Sequence, residues 1–244
     1  MISGDLVEHA TEAGFHEARQ WIDRLPQPRL VVPGNHDLAF YDPWRRFRDG
    51  LRDYRRMITD NLEPTYLDQE IAVMGTDTPR IFPPKGGRIS ARQIARVQEE
   101  VCGLGEHVVK ILVTHHPLDL PEKFRRNHLV RKASRAVTTL SSCVDLLIAG
   151  HIHLSSTGAT AARYKTSGSS VIFAQAGTVI SRRNKGEPNS FNVIRVTRDE
   201  IGIQHRTWDQ ETACFRGKAW ERFVRGAKGW SKVEDGALET VVLE

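Results

Sequence analysis

The chain has 244 residues, 39% hydrophobic and 27% charged, with a formal net charge of +5, a balance typical of one or two globular domains. No stretch approaches the roughly 20 apolar residues of a membrane-spanning helix, and charge as early as Asp5 leaves no apolar core for a signal peptide. The mild basicity favours anionic ligands by long-range attraction but falls short of arguing for nucleic acid.

In chain order, residues 8–24 read as a helix with Phe15, Ala18, Trp21 and Ile22 on one face. Residues 29–33 form an apolar run expected to be a buried strand, followed by Gly34, Asn35, His36 and Asp37. Residues 43–58 are amphipathic and charged, the mark of a helix over the surface, and 66–76 read as a pair of strands. After a Pro/Gly-rich loop at 78–88, Ser90 is placed to cap a helix over 91–101. A strand at 108–113 runs into Thr114, His115, His116 and Pro117, and a basic loop and helix fill 119–142. A strand at 144–149 runs into Gly150, His151, Ile152 and His153, and strands follow around 170–176, 190–196 and 201–207.

Residues 215–230 interleave cations with Trp220, Phe223 and Trp230. Trp220, Phe223 and Val224 have helical spacing, so an amphipathic helix docked on the sheet is expected over a nucleic-acid surface. The basic stretch 123–132 is a solvated helix face or an overhang whose cations meet an anionic substrate. Cys102, Cys143 and Cys214 are odd in number and widely spaced, which suggests no disulfide and a reducing cytosol. The organisation is α/β, read as a single domain over 1–244.

Three apolar runs therefore end in loops rich in His, Asn and Asp, and the chain opens with Ser3, Gly4 and Asp5. Sites in α/β sheets gather where strand C-termini converge. Imidazole, amide and carboxylate donors together suit Mn²⁺, Fe²⁺/Fe³⁺, Zn²⁺ or Co²⁺ rather than Ca²⁺. Two such ions can clamp a phosphoryl group. For each residue a plainer role stands beside ligation: Asp5 as a helix N-cap, Asn35 in a left-handed turn, the remaining histidines as structural or exposed groups.

Gly4-Asp5, the Gly34–Asp37 loop, His115 and the Gly150–His153 loop resemble, in order, the GD, GNHD, lone-His and GHxH motifs of calcineurin-like metallophosphoesterases. The resemblance spans residues 1 to about 207. It implies a four-layer αββα sandwich of two mixed sheets and hydrolysis of a small phosphorylated substrate, cyclic nucleotides leading, by a nucleophile bridging two transition-metal ions. It implies that Asp5 bridges the ions, Asn35, His115 and His151 complete one shell, and His153 binds the other ion. His36 then stands near the leaving group with Asp37 orienting it, and His115 is chosen over His116 because it lies two residues before Pro117.

The family's opening D-x-H motif, which supplies two further ligands, does not occur in this sequence. A fragment or a late start is the expected reason, and a weakened binding or regulatory module or a nuclease-like enzyme are the competing readings. As written, one ion keeps only Asp5 and His153, so weak hydrolysis is expected.

Overall fold

The computed structural model describes residues 1–39, 43–82, 86–122, 124, 126–164, 169–181 and 186–234. The first helix, α1 (Glu12–Asp23), starts later than expected because the Thr11 hydroxyl accepts the Gly14 N–H at 3.2 Å and caps it there. Phe15 and Ile22 are buried on its inner face, whereas Trp21 is 37% exposed. Residues 29–33 do not form the expected strand. Among the described residues their pairing is a single parallel bridge between Ile2 and Val31, with Ile2 N–H donating to Leu30 and Val32 N–H donating to Ile2.

The stretch expected to be one surface helix is two, α2 (Pro43–Asp49) and α3 (Arg52–Met57), and the second is anchored rather than superficial. Tyr54 is fully buried, edge-on to Phe15 at 6.2 Å, in a cluster with Val7, Leu38 and Leu51.

Six strands follow: β1 (Thr65–Leu67), β2 (Ile71–Thr76), β3 (Val109–Thr114), β4 (Leu146–Ala149), β5 (Ser156–Ala159) and β6 (Ile172–Gln175). They form a mixed sheet in the order β1-β2-β3-β4-β6-β5, parallel through the centre and antiparallel at both edges. The parallel centre requires crossovers, and the helices α4 (Ala91–Val101) and α5 (Ala133–Leu140) lie in two of them. Ser90 caps α4 as expected, in a reciprocal box with Gln93. Ile94, Val97, Val137 and Leu140 pack on Met74, Leu112, Leu147 and Phe173 of the sheet.

The expectation of unpaired cysteines is corrected here. Cys102, which caps the C-terminus of α4, is disulfide-bonded to Cys143 just beyond α5, with Cα atoms 5.0 Å apart, while Cys214 is free and exposed. Cysteine usage therefore no longer points to a reducing compartment. Among the described residues no helix is long and apolar enough to cross a membrane.

The last four strands, β7 (Ser190–Val196), β8 (Glu200–Asp209), β9 (Cys214–Gly226) and β10 (Gly229–Lys232), form a second sheet in the order β10-β9-β8-β7. It is antiparallel throughout rather than mixed, because each strand turns directly back on its predecessor. The expected helix at 215–230 is thus corrected to a hairpin. Strand alternation buries Phe223 and leaves Val224 36% exposed, so the helical spacing of the aromatic residues was coincidental. Ile201, Ile203, Phe223 and Trp230 pack against Val73, Ile111, Leu146 and Ile172, so two sheets meet face to face in one α/β fold.

Candidate metal centre

Four loops meet at the C-terminal ends of β3 and β4, and glycine permits their approach. Gly4 has φ +88°, and a Cβ there would stand 2.5 Å from the Gly34 nitrogen. A Cβ on Gly34 would strike the backbone and carboxylate of Asp5. Three proposed ligands are themselves left-handed: Asp5 (φ 57°), His151 (φ 73°) and His153 (φ 60°). Such non-glycine residues cost about 1 kcal/mol or more each and collect at functional sites.

Asp37 holds two of these loops together. Its carboxylate accepts backbone N–H groups from Gly34 (2.7 Å), Asp5 (3.0 Å), Leu6 (2.9 Å) and Val7 (3.3 Å). Burial and the nearby Asp5 charge push this carboxyl up to about 7, while the N–H donors of Gly34 and Leu6 oppose the rise. These bonds, and not the expected contact with His36, occupy Asp37 among the described residues. The fourth loop is tied in by the Gly150 N–H, which donates to the His115 carbonyl at 3.0 Å.

The donor atoms converge on one point. His115 Nε2 lies 3.1 Å from Asn35 Oδ1, 3.2 Å from His151 Nδ1 and 3.4 Å from Asp5 Oδ2, and His151 Nδ1 lies 2.9 Å from Asn35 Oδ1. His115 Nδ1 donates to the Ser3 carbonyl at 2.7 Å, which fixes the tautomer that leaves the Nε2 lone pair facing the others. The carboxylate and the amide oxygen are acceptors only, so this cluster is electron-rich and needs a proton or a cation at its centre. Donors about 2.0–2.2 Å from one transition metal stand about 2.8–3.6 Å apart, which matches these separations.

Electrostatics agree. Burial alone would raise Asp5, but His115 beside it and the His36 N–H at 2.9 Å hold its carboxyl well below the usual range. Burial alone would lower His115, yet the Asp5 carboxylate lifts it above its ordinary value. Each group is poised for a positive charge at the cluster.

Asp5, Asn35, His115 and His151 are thus brought together. His116 joins them: the ring nitrogens of His115, His116 and His151 can be chosen within 4.8 Å of one another, and the His116 ring lies 4.4 Å from that of His151. Sequence reasoning preferred His115 to His116, and the structure places ring nitrogens of both in one three-histidine group. His116 is held by Thr78, whose hydroxyl accepts its N–H at 3.2 Å and pairs with its Nδ1 at 3.0 Å. His36 is tethered through Nδ1–H to the Glu8 carbonyl at 2.9 Å. His153 is half-buried and is not in the three-histidine group. Sequence reasoning missed Ser3, Thr78 and the Glu8 carbonyl; positions that act through backbone or a lone hydroxyl carry no motif. Of the stretch 123–132, Lys123 and Arg125 lie outside the described residues.

Residues 1–155 match the family model described as calcineurin-like phosphoesterase. Two curated relatives, each a 3',5'-cyclic adenosine monophosphate phosphodiesterase CpdA, from Escherichia coli K12 and O157:H7, are 24% identical over 155 residues. The match covers 62% of this chain and 52% of the relatives, so the chain spans about half the length of the curated relatives it matches. Among solved structures, a 5'-nucleotidase candidate from Staphylococcus aureus with alpha-ketoglutarate aligns at 14% identity and TM-score 0.39, covering 93% of this chain and 42% of that one. A single mutant of Vps29 from Entamoeba histolytica aligns at 15% identity and TM-score 0.28, covering 61% of this chain and 97% of that one. With its family model matched over well above half its length, the chain belongs to the calcineurin-like phosphoesterase family.

Proposed function

We propose that this protein is a metal-dependent phosphoester hydrolase that acts on small phosphodiesters, with 3',5'-cyclic nucleotides as the leading candidate. The observation that carries this is the convergence on His115 Nε2, which has donor atoms of Asn35, His151 and Asp5 at 3.1–3.4 Å, with His151 and Asn35 themselves 2.9 Å apart. These four residues would hold one Mn²⁺, Fe²⁺/Fe³⁺, Zn²⁺ or Co²⁺ ion. Asp5 would be shared with a second ion that His153 binds. When bound, such ions supply Lewis acidity for the phosphoryl oxygens and make a water nucleophilic at neutral pH.

The remaining chemistry belongs to the chain itself. His36, with Nδ1 committed to the Glu8 carbonyl, has Nε2 left to hold or deliver a proton at the departing oxygen. Asp37 fixes the two loops that carry Asp5, Asn35 and His36, so its part is positional. Similarity to the cyclic AMP phosphodiesterases supports the diester preference.

A second reading is a binding module with little turnover. Hydrolysis of bis(p-nitrophenyl) phosphate with added Mn²⁺, compared with Asn35→Ala and His151→Ala, separates the two. The hydrolase reading expects metal-dependent release of nitrophenol, abolished in both variants. Bound metal with no turnover at all would favour the binding module.

A further inference from the structure

Beside the metal centre lies a cleft of about 330 Å³ whose walls are three arginines, Arg80, Arg88 and Arg131, and two phenylalanines, Phe47 and Phe82. The volume is at the lower end of the range for small-molecule sites. Gly87 lines the cleft, and a Cβ on it would collide with the His116 ring. The floor of the cleft is therefore in contact with the histidine that packs on His151. Strand-like pairing fixes this floor: Arg131 N–H donates to the Gly87 carbonyl at 2.9 Å and Arg88 N–H to the Thr78 carbonyl at 2.9 Å. Thr78 is also the residue that holds His116.

The lining chemistry is specific. Phe47 and Phe82 are 64% and 61% exposed, with ring centroids 5.5 Å apart. The two rings together form an exposed apolar patch of the kind that marks ligand-binding grooves. Arg80 is committed in part to Gln93 Oε1 at 3.0 Å and to Asp77 at 3.4 Å. Arg88 and Arg131 are exposed, and among the described residues neither is drawn into an ion pair. Exposed aromatic faces beside uncommitted guanidinium groups bind a planar base by stacking and a phosphate by charge-assisted hydrogen bonds.

The phosphate under attack would sit at the converged donors of Asp5, Asn35, His115 and His151, whereas the arginines line the cleft at Gly87, which packs against His116. An anion at Arg88 and Arg131 is consequently a second one. Building on the phosphodiesterase reading, we infer that the cleft of Phe47, Phe82, Arg88 and Arg131 binds the base and a second phosphate of a linear nucleotide diester. A 3',5'-cyclic nucleotide would still meet the metal donors as a diester, but its single phosphate would leave these arginines unoccupied, so the cleft extends the phosphodiesterase reading to linear diesters.

Calorimetric titration tests this in EDTA, where the cleft acts without metal ions. The probes are the dinucleotide pApA with a 5'-phosphate, ApA without it, and cyclic AMP. The full chain is expected to bind pApA at least tenfold more tightly than ApA or cyclic AMP. Arg88→Gln and Arg131→Gln are expected to erase the advantage of pApA over ApA, and Phe82→Ala to weaken both dinucleotides, with melting curves showing each variant folded. Equal binding of pApA and ApA, no binding of either, or an advantage that survives both arginine substitutions overturns the inference. Turnover of bis(p-nitrophenyl) phosphate by the unsubstituted chain reads the hydrolase proposal separately, since metal-free binding does not depend on it.

Discussion

Replacing Asp37 with asparagine isolates the carboxylate that joins two of the site's loops. Asp37 is fully buried and accepts four backbone N–H groups, two at each oxygen. Asparagine keeps its size but retains one acceptor, so two buried N–H donors would face an NH₂ group. At about 1–3 kcal/mol per unsatisfied buried donor, the loss is about 2–6 kcal/mol. Against it stands relief of the burial cost and the Asp5 repulsion that lift this carboxyl to about 7. The donors should prevail, because even a protonated Asp37 places a single hydrogen among them and asparagine places two. Urea unfolding at about pH 8, followed by tryptophan fluorescence, should show Asp37→Asn less stable by about 2 kcal/mol or more, a large share of a typical 5–15 kcal/mol. A variant as stable as its parent, or more so, would show that repulsion from Asp5 outweighs the hydrogen bonds and that Asp37 does not hold the loops.

Two further outcomes concern parts remote from the metal donors. Reducing Cys102–Cys143, which closes 41 residues, should cost about 4 kcal/mol by chain entropy, a fall of roughly 8–16 °C in Tm for a chain of this size; non-reducing peptide mapping must also recover the pair. Glu221 is held down to about 2 by His205 first, and also by Lys232 and Thr157. A depressed carboxylate stabilises the fold above its unfolded value of 4.5 and loses that contribution as the pH falls towards 2. Urea midpoints between about pH 6 and pH 3 should therefore fall less steeply in Glu221→Gln, and identical slopes would remove the linkage.

Much of this was legible in the sequence, and the exceptions have physical causes. Ser90 announced the start of α4, and the apolar runs ahead of His115 and His151 announced β3 and β4, because local caps and buried parallel strands leave local patterns. The Arg29–Pro33 run looked like a strand because it is apolar and buried, but pairing needs a partner, and among the described residues only Ile2 bridges to it. Residues 215–230 misled because Trp220, Phe223 and Val224 fit a helical period by chance, while a 13-residue strand beside β8 buries Phe223 alone among them. The disulfide was invisible because the packing of α4 on α5 brings Cys102 to Cys143, and spacing says nothing of that. At the site, the candidate donor residues and their order were readable. The roles of Asp37, Ser3 and Thr78 were not, since they act on or through backbone groups or through a lone hydroxyl, which motifs do not encode.

The central claim is that Asp5, Asn35, His115 and His151 close around one cation. Equilibrium dialysis against Co²⁺, with metal content and the visible ligand-field spectrum read together, tests it most directly. The unsubstituted chain should retain at least one ion with a mixed nitrogen and oxygen spectrum, and His115→Ala together with His151→Ala should retain none while still folding. Retention of the ion by that double variant, or no binding by the parent, contradicts the account.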